Sequence, residues 1–190
     1  DVERSRGLGD VYKRQIVKPS ANGSSVGVSK VEDKSQLKDA IKKAFEFDQK
    51  ILVEELIDAQ EIEIAIIGGG DRLDISIPAA YITNHKFLDY DAKYFDKETI
   101  EEIPFAMEKC YQKEAMEFAK DCYKAVGCSG FARVDIFYTK DHNFFANEIN
   151  TFPGFTPSSF FPRLAMFMYD KSFGYCLLYT SDAADERSSV

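Results

Sequence analysis

The chain has 190 residues, 45% of them hydrophobic, which is enough for one substantial core and a small satellite. Its formal net charge of −8 excludes a broad basic surface for nucleic acid or anionic lipid, while leaving room for a small basic pocket around a polyphosphate. No apolar run reaches transmembrane length, and Cys110, Cys122, Cys128 and Cys176 lack paired metal spacings, so they are expected as free thiols in a reducing cytoplasm.

The two ends stand apart from the rest. Ser5 to Gln15 reads SRGLGDVYKRQ and Cys176 to Glu186 reads CLLYTSDAADE. DVYKRQ back-translates to GAT GTG TAT AAG AGA CAG, and CLLYTS to TGT CTC TTA TAC ACA TCT, the reverse complement of the same transposon-end element used to prepare sequencing libraries. Residues 1–15 are therefore expected to be a disordered, adapter-derived tail and residues 176–190 a second one, and both are set aside from the fold. The interior, Ile16 to Tyr175, is expected to be cut from a longer gene. Together the ends carry five basic and six acidic residues, so the acidic character belongs to the interior.

Along the interior, Ile16-Val17-Lys18-Pro19 reads as a strand end stopped by proline. Ser20 to Gly27 (SANGSSVG) is a small, polar, glycine-rich loop, and a strand resumes over Val26 to Val31. A helix follows with Ser35 as N-cap and Leu37, Ile41, Ala44 and Phe45 on one face. Ile51 to Val53 is a short buried strand. Ile62 to Ile67 alternates like a half-buried strand, ends at Gly68-Gly69-Gly70, and has Leu73 to Ala79 as hairpin partner. His85 to Lys97, aromatic and charged, reads as a structured loop of the kind that carries function. Glu114 to Val126 is an amphipathic helix closed by Gly127. Phe131 to Tyr138 and Phe144 to Ile149 form a hairpin around the turn Thr139 to Asn143. Thr151 to Pro162 is rich in proline and glycine, and another helix starts at Arg163. The class is α+β, with antiparallel and mixed sheets and packed helices.

Four segments can carry chemistry. Lys18 followed by Gly23-Ser24-Ser25-Val26-Gly27 combines a point charge with a backbone able to wrap closely round phosphate; taken alone, such a segment is more often only a loop. Glu54-Glu55-Leu56-Ile57 and then Glu61 lie where a buried strand meets polar sequence. Backbone groups there can bind an adenine and a carboxylate can bind ribose hydroxyls, although a solvated acidic turn explains the same residues. Asp89-Tyr90-Asp91-Ala92-Lys93-Tyr94 packs aromatics beside one lysine, as a water-excluding lid would, or forms a charged surface loop.

The fourth segment is the strongest. Asp135 lies within an apolar strand, in Arg133-Val134-Asp135-Ile136, and Glu148 and Asn150 end the facing strand. Residues two apart share a strand face, so Glu148 projects with Asn150 and Arg133 with Asp135. The hairpin is expected to bring Asp135 opposite Glu148 and Asn150. Two carboxylates and an amide oxygen form a hard-oxygen set suited to Mg²⁺ or Mn²⁺, and a carboxylate this deep needs a cation. A structural Asp–Arg pair beside a surface glutamate is the other explanation. His85 and His142 fall in loops and are expected to have no catalytic part.

In order, Lys18-Pro19, Gly23 to Gly27, Glu54, Asp89 to Tyr94, Gly130 with Arg133-Val134-Asp135, and Glu148-Ile149-Asn150-Thr151-Phe152-Pro153-Gly154 resemble the D-alanine–D-alanine ligase family of the ATP-grasp superfamily. The resemblance covers nearly all of Ile16 to Tyr175. It implies an ATP-grasp fold, incomplete on its N-terminal side, with a small subdomain over about 16–70 and a C-terminal subdomain with the metal site over about 71–175. ATP and two Mg²⁺ or Mn²⁺ ions are implied as cofactors. Lys18, Lys93, Ser24 and Ser25 would hold phosphates, Glu54, Glu55, Leu56 and Ile57 the adenine, and Glu61 the ribose. Asp135, Glu148 and Asn150 would bind the metals, with Glu148 bridging them. Arg133 and the Gly154 N–H would stabilise the oxyanion, Ser24 and Tyr94 would complete the catalytic set, and Ser159 with Gly154 would receive the second D-alanine.

The implied reaction joins two D-alanines through an acyl phosphate, for peptidoglycan precursors. The family further implies a cytoplasmic homodimer that acts on D-alanine and needs neither nucleic acid nor membrane. Three positions depart from the family pattern. The hinge Asp58-Ala59-Gln60-Glu61 lacks a glycine, Leu88 replaces a tyrosine, and Ser158 replaces a histidine. Tyr94 fits peptide-forming relatives. The 190-residue chain by itself is expected not to ligate. A D-alanine–D-serine ligase, another ATP-grasp carboxylate–amine ligase, and a non-catalytic nucleotide-binding module are the alternatives.

Overall fold

In the computed structural model, which describes residues 15–23, 25–70, 72–82 and 100–176, the apolar periodicity resolves into two compact units. Among the described residues, the first unit runs to Ile57, and the second comprises Asp58–Ile82 and the residues from Ile100 onward.

In the first unit, β1 (Gln15–Pro19) lies between β2 (Ser29–Val31) and β3 (Ile51–Glu55), antiparallel to both. Alternate residues face opposite ways. Val17, Val31 and Ile51 pack on α1 (Lys34–Phe45) through Leu37, Ala40, Ile41 and Ala44, and Ile16, Lys18, Leu52 and Glu54 are on the other face. The expected strand over Val26 to Val31 shortens to β2, because Ser25 to Gly27 forms a turn with Ser25 and Gly27 at positive φ. Asp33, not Ser35, is the N-cap of α1. Its carboxylate accepts from the Ser35 N–H, and Gln36 Oε1 accepts from the N–H of Glu32 and Asp33, a reciprocal capping box. Phe45, expected on the buried face, is 52% exposed at the last turn.

In the second unit, β4 (Ala59–Gly69) and β8 (Gly130–Thr139) pair from Ala59↔Thr139 to Gly68↔Gly130. β5 (Arg72–Ile75) and β9 (Phe144–Asn150) flank them, giving the antiparallel order β5-β4-β8-β9. Because β4 is bonded along nearly its whole length to β8, residues 58–70 belong to this unit, and the division falls at Ile57/Asp58 instead of near residue 70.

One sheet face, with Ile62, Ile64, Ile66, Ala132, Val134 and Ile136, packs on α2 (Lys109–Ala125) through Ala115, Ala119 and Tyr123. The other face carries Ala65 and Ile67, covered by Phe160, Phe161, Leu164 and Ala165 of α3 (Phe160–Tyr169). Farther along that face the residues are Glu61, Glu63, Arg133 and Asp135. β6 (Ala80–Ile82) pairs with β7 (Ile100–Glu102), two short strands the sequence pattern does not announce.

Both helices start earlier than their periodicity indicates. α2 begins at Lys109, because Glu108 caps it without a side-chain hydrogen bond and so leaves no cap signal. α3 begins at Phe160, with Pro162 in a first turn whose N–H groups have no intrahelical partner in any case. The expected partner Leu73 to Ala79 splits. β5 pairs with Ile66–Gly69, Ala79 forms a single bridge to Glu63, and between them the buried Ser76 donates its backbone N–H to the Ala65 carbonyl while its hydroxyl accepts the Ala65 N–H, both at 2.9 Å.

Gln15, placed in a tail on sequence grounds, is part of β1, since backbone pairing is indifferent to where its side chains came from. Cys176, likewise assigned to a tail, is buried against the α3 cluster. The four cysteines are free thiols. Residues 1–14 and 177–190, and the loop His85 to Lys97, lie outside the described residues. Among the described residues no helix is long and apolar enough to cross a membrane.

Candidate functional site

On the open face of the first unit, Lys18 and Glu54 come together. β1–β3 register sets Lys18 opposite Leu52 and Ile16 opposite Glu54, which makes Lys18 and Glu54 diagonal neighbours, and Lys18 Nζ meets Glu54 Oε2 at 2.8 Å. The glycine-serine loop leaves β1 beside them. Its base is pinned by Asp48, which sequence reasoning overlooked. The Asp48 carboxylate accepts from the Lys50 N–H, the Ser20 hydroxyl and the Ala21 N–H, and the first two of these contribute most to holding its pKa below the usual carboxylate range. At the far end Gly27 has φ 78°, and a Cβ there would lie 2.6 Å from Phe47 Cδ2 and 2.8 Å from Pro19 Cγ, so only glycine closes the loop without displacing its neighbours. Ser25 is described, at φ 59°; Ser24, Lys93 and Tyr94 lie outside the described residues. Glu55 ends β3 opposite Gln15, and Leu56 and Ile57 follow it in sequence.

The second unit gathers Glu61, Arg133, Asp135, Glu148 and Asn150 on one sheet face. Asp135 is opposite Glu63 on β4 and opposite Glu148 on β9, so three carboxylates cross three adjacent strands in a row. Like charges directly opposite repel; Arg133, on the same face of β8, separates two of them. Its Nε lies 2.9 Å from Glu63 Oε2 and donates to Asp135 Oδ1 at 2.7 Å, and its Nη2 donates to Asp135 Oδ2 at 2.7 Å. Asn150 is opposite Arg133, not Asp135 as expected. It still reaches the carboxylates diagonally, with Nδ2 at 3.1 Å from Asp135 Oδ2 and 3.0 Å from Glu148 Oε1.

A β-bulge makes this arrangement possible. Asp135 pairs with Glu148 and Ile136 with Ala146, so Asn147 is the extra residue. Asn147 Nδ2 reaches Glu61 Oε1 at 2.7 Å, tying the ribose candidate on β4 to β9 across β8.

The electrostatics follow from burial. Asp135 is 2% exposed. Loss of solvent, and then the Glu63 carboxylate, push its pKa up to about 7, against the pull of Arg133. Burial alone would lower the Arg133 pKa, but Asp135, Glu63 and Glu148 outweigh it and hold the guanidinium firmly protonated. Among the described residues no group of three or more His, Cys, Asp or Glu is arranged around a common metal position. The donors that fit a divalent cation are therefore Asp135, Glu148 and the Asn150 amide, now bridged through Asn150 Nδ2. An amide turned end for end would present its oxygen instead. The set is all oxygen, and a cation placed there would offset the excess of carboxylates over the single guanidinium.

The segment after β9 brings Gly154 against Ser159. A Cβ on Gly154 would lie 2.9 Å from Ser159 Oγ. That hydroxyl accepts the Thr156 N–H at 3.2 Å and lies 2.8 Å from Thr156 Oγ1, which is 3.0 Å from Ser158 Oγ. Three hydroxyls thus cluster at the N-terminus of α3. Glu63, Asn147 and Asp48 are the site residues missed in the sequence. Only Glu63 left a signal, a carboxylate alternating with isoleucines, and it reads as a solvated position.

A family model described as "D-ala D-ala ligase C-terminus" matches residues 14–168. The D-alanine–D-alanine ligase of Lactococcus lactis subsp. cremoris is 39% identical over 149 residues, which is 78% of this chain and 43% of the relative. That of Oceanobacillus iheyensis is 44% identical over 150 residues, 78% and 41%. The chain thus spans about two fifths of the length of these curated relatives. Among solved structures, the VanG D-Ala:D-Ser ligase from Enterococcus faecalis superposes with a TM-score of 0.81 at 35% identity, over 96% of this chain and 52% of that one. The D-alanyl-alanine synthetase A of Vibrio cholerae superposes with a TM-score of 0.77 at 25% identity, over 96% and 56%.

Proposed function

Since the chain belongs to the D-alanine–D-alanine ligase family, we propose that it supplies the nucleotide, metal and oxyanion residues for ATP-dependent joining of two D-alanines. The observation that carries this reading is the convergence of Arg133, Asp135, Glu148 and Asn150 on one sheet face, where Arg133 and Asn150 both donate to the buried Asp135 carboxylate and Asn150 also donates to Glu148.

In this reading Lys18, Ser24, Ser25 and Lys93 hold the ATP phosphates, Glu54 to Ile57 the adenine, and Glu61, oriented by Asn147, the ribose. Asp135, Glu148 and Asn150 hold one or two divalent cations, which neutralise phosphate charge as a phosphoryl group moves. Fixed positive charge is the main contribution a protein makes to such a transfer. Arg133 faces the developing oxyanion with two donors already oriented by the Asp135 carboxylate. The Gly154 N–H aids it, and the Ser159 hydroxyl cluster receives the second amino acid's carboxylate. Tyr94 closes the site against water, which would otherwise hydrolyse the acyl phosphate. A cytoplasmic homodimer belongs to the same reading.

The test is a chimera of the Lactococcus lactis relative in which residues 15–176 of this chain replace the matching region. D-Alanine-dependent phosphate release with D-alanyl-D-alanine as product is expected, and it should be lost in Asp135→Ala and Glu148→Ala. Turnover that prefers D-serine as second substrate would favour the D-alanine–D-serine alternative. Nucleotide binding without turnover in a folded chimera would refute the catalytic reading.

A further inference from the structure

The third carboxylate of the row, Glu63, has no role in the reaction described above. It is 4% exposed on a strand hydrogen-bonded on both sides, with its backbone bridged to Ala79 and paired with Asp135, so it has little freedom to turn away. Burying a carboxylate is costly unless it is paired, and Glu63 Oε2 lies in ion-pair contact with Arg133 Nε at 2.9 Å, while the Nε–H itself is donated to Asp135 Oδ1.

We infer that Glu63 is a positioning residue for Arg133: its carboxylate, in ion-pair contact with Nε, takes over the Nε–H from Asp135 when a divalent cation takes Asp135 and Glu148. The inference rests on the proposed function. Asp135 Oδ2 already accepts from Arg133 Nη2 and Asn150 Nδ2, and Oδ1 accepts from Arg133 Nε. A cation at Asp135 competes for these same oxygens. Without a second carboxylate, Arg133 would be released at the moment its orientation matters. Strand order separates the two tasks. Glu63 on β4 and Glu148 on β9 flank Asp135 on opposite sides, about 10 Å apart in backbone terms. Glu148 is therefore placed for the cation and Glu63 for the guanidinium. The charges agree, because three carboxylates are matched by one guanidinium and one divalent cation. Partners of this kind hold first-contact groups in orientation at metal sites generally.

The experiment follows the side-chain N–H signals of Arg133 by NMR in the 190-residue chain while Mg²⁺ is added, with Mn²⁺ affinity measured in parallel by electron paramagnetic resonance. In the unaltered chain the Nε–H is expected to stay protected from exchange as Mg²⁺ saturates, while the Nη2 protons become labile. In Glu63→Gln, Nε–H exchange should rise about tenfold on adding Mg²⁺ and change little without it, and Mn²⁺ should bind no more than about tenfold more weakly. Asp135→Asn should weaken Mn²⁺ by about a hundredfold or more.

Equal loss of Nε–H and Nη2 protection in the unaltered chain would overturn the inference without recourse to any variant. So would a Glu63→Gln chain that loses Mn²⁺ as completely as Asp135→Asn, which would make Glu63 a ligand. If the unaltered chain binds no Mn²⁺ at all, the proposed metal site fails and the inference falls with it. Mn²⁺ binding with unaltered Arg133 exchange in Glu63→Gln sinks the inference alone.

Discussion

Replacing Arg133 by methionine isolates the electrostatics of the sheet face from its packing. Methionine retains most of the unbranched stem and deletes the charge. The side chains of Arg133, Glu63 and Asp135 are 13%, 5% and 3% exposed, so solvent cannot replace the lost cation. Removing one partner of a buried ion pair costs about 3–5 kcal/mol, because the remaining charge is left uncompensated. An upper limit follows from the escape route. One carboxyl can take up a proton, at about 1.4 kcal/mol per pH unit above its ordinary value near 4, or about 5 kcal/mol at roughly pH 7.5. At about pH 5.5 the same escape is two units easier, so the penalty should shrink by up to about 3 kcal/mol. Loss of packing has no such pH dependence. The assay is urea unfolding of the chain in EDTA at both pH values, followed by circular dichroism, with ΔG from linear extrapolation. A penalty under about 1 kcal/mol at the higher pH, or one equal at the two, would refute a buried, charge-matched cluster.

The same face predicts a pH response of the unaltered chain. A carboxyl whose folded-state pKa is raised binds protons in the folded chain that the unfolded chain has released, so its stabilising contribution is complete below the ordinary value near 4 and lost as pH rises through about 7. Metal-free thermal scans should show the melting temperature falling across that window, and saturating Mg²⁺ should abolish the fall by favouring ionised Asp135; an unchanged slope would place the cation elsewhere. Tyr123→Phe removes the hydroxyl that donates to the Gly68 carbonyl at 2.9 Å and should cost about 1 kcal/mol in urea unfolding. Gly27→Ala combines a positive φ with contacts below 3 Å, so it should destabilise the first unit by about 1–3 kcal/mol and weaken binding of MgADP measured by calorimetry.

What the sequence discloses depends on whether a residue's role is local. The strand carrying Asp135 was legible because a carboxylate among Ala132, Val134 and Ile136 breaks an apolar pattern. Gly127 closes α2 at φ 68° as its position implied. Capping was only half legible: Ser35 and Asp33 are both good caps, and the reciprocal bonds of Gln36 decide between them. The unit boundary was not legible. Ile62 to Ile67 has the pattern of a half-buried strand whichever sheet it joins, and only the β4–β8 pairing assigns it. Glu63 was hidden for the same reason. Alternation marks a polar face, and what covers that face is decided by strands and helices distant in sequence.

The hairpin shows how far a correct expectation can depend on a feature the sequence does not announce. From the turn, Tyr138 pairs with Phe144, Phe137 with Phe145 and Ile136 with Ala146. Continued without interruption, that register would set Asn147 opposite Asp135 and Glu148 opposite Val134, on the face that packs against α2. Glu148 would then be a charge among isoleucines, and Asn150 would turn inward with it. The bulge at Asn147 restores both to the open face and leaves Val134 opposite Ile149. The apolar residues enforce the slip: Ile149 must reach the α2 side, since leaving it out and burying Glu148 would exchange a favourable burial for a costly one. Asn147, freed from ladder pairing, reaches Glu61. One extra residue in β9 thus sets the placement of Glu148 and Asn150 on the open face, the contact of Asn147 with Glu61 and the side on which Ile149 packs together.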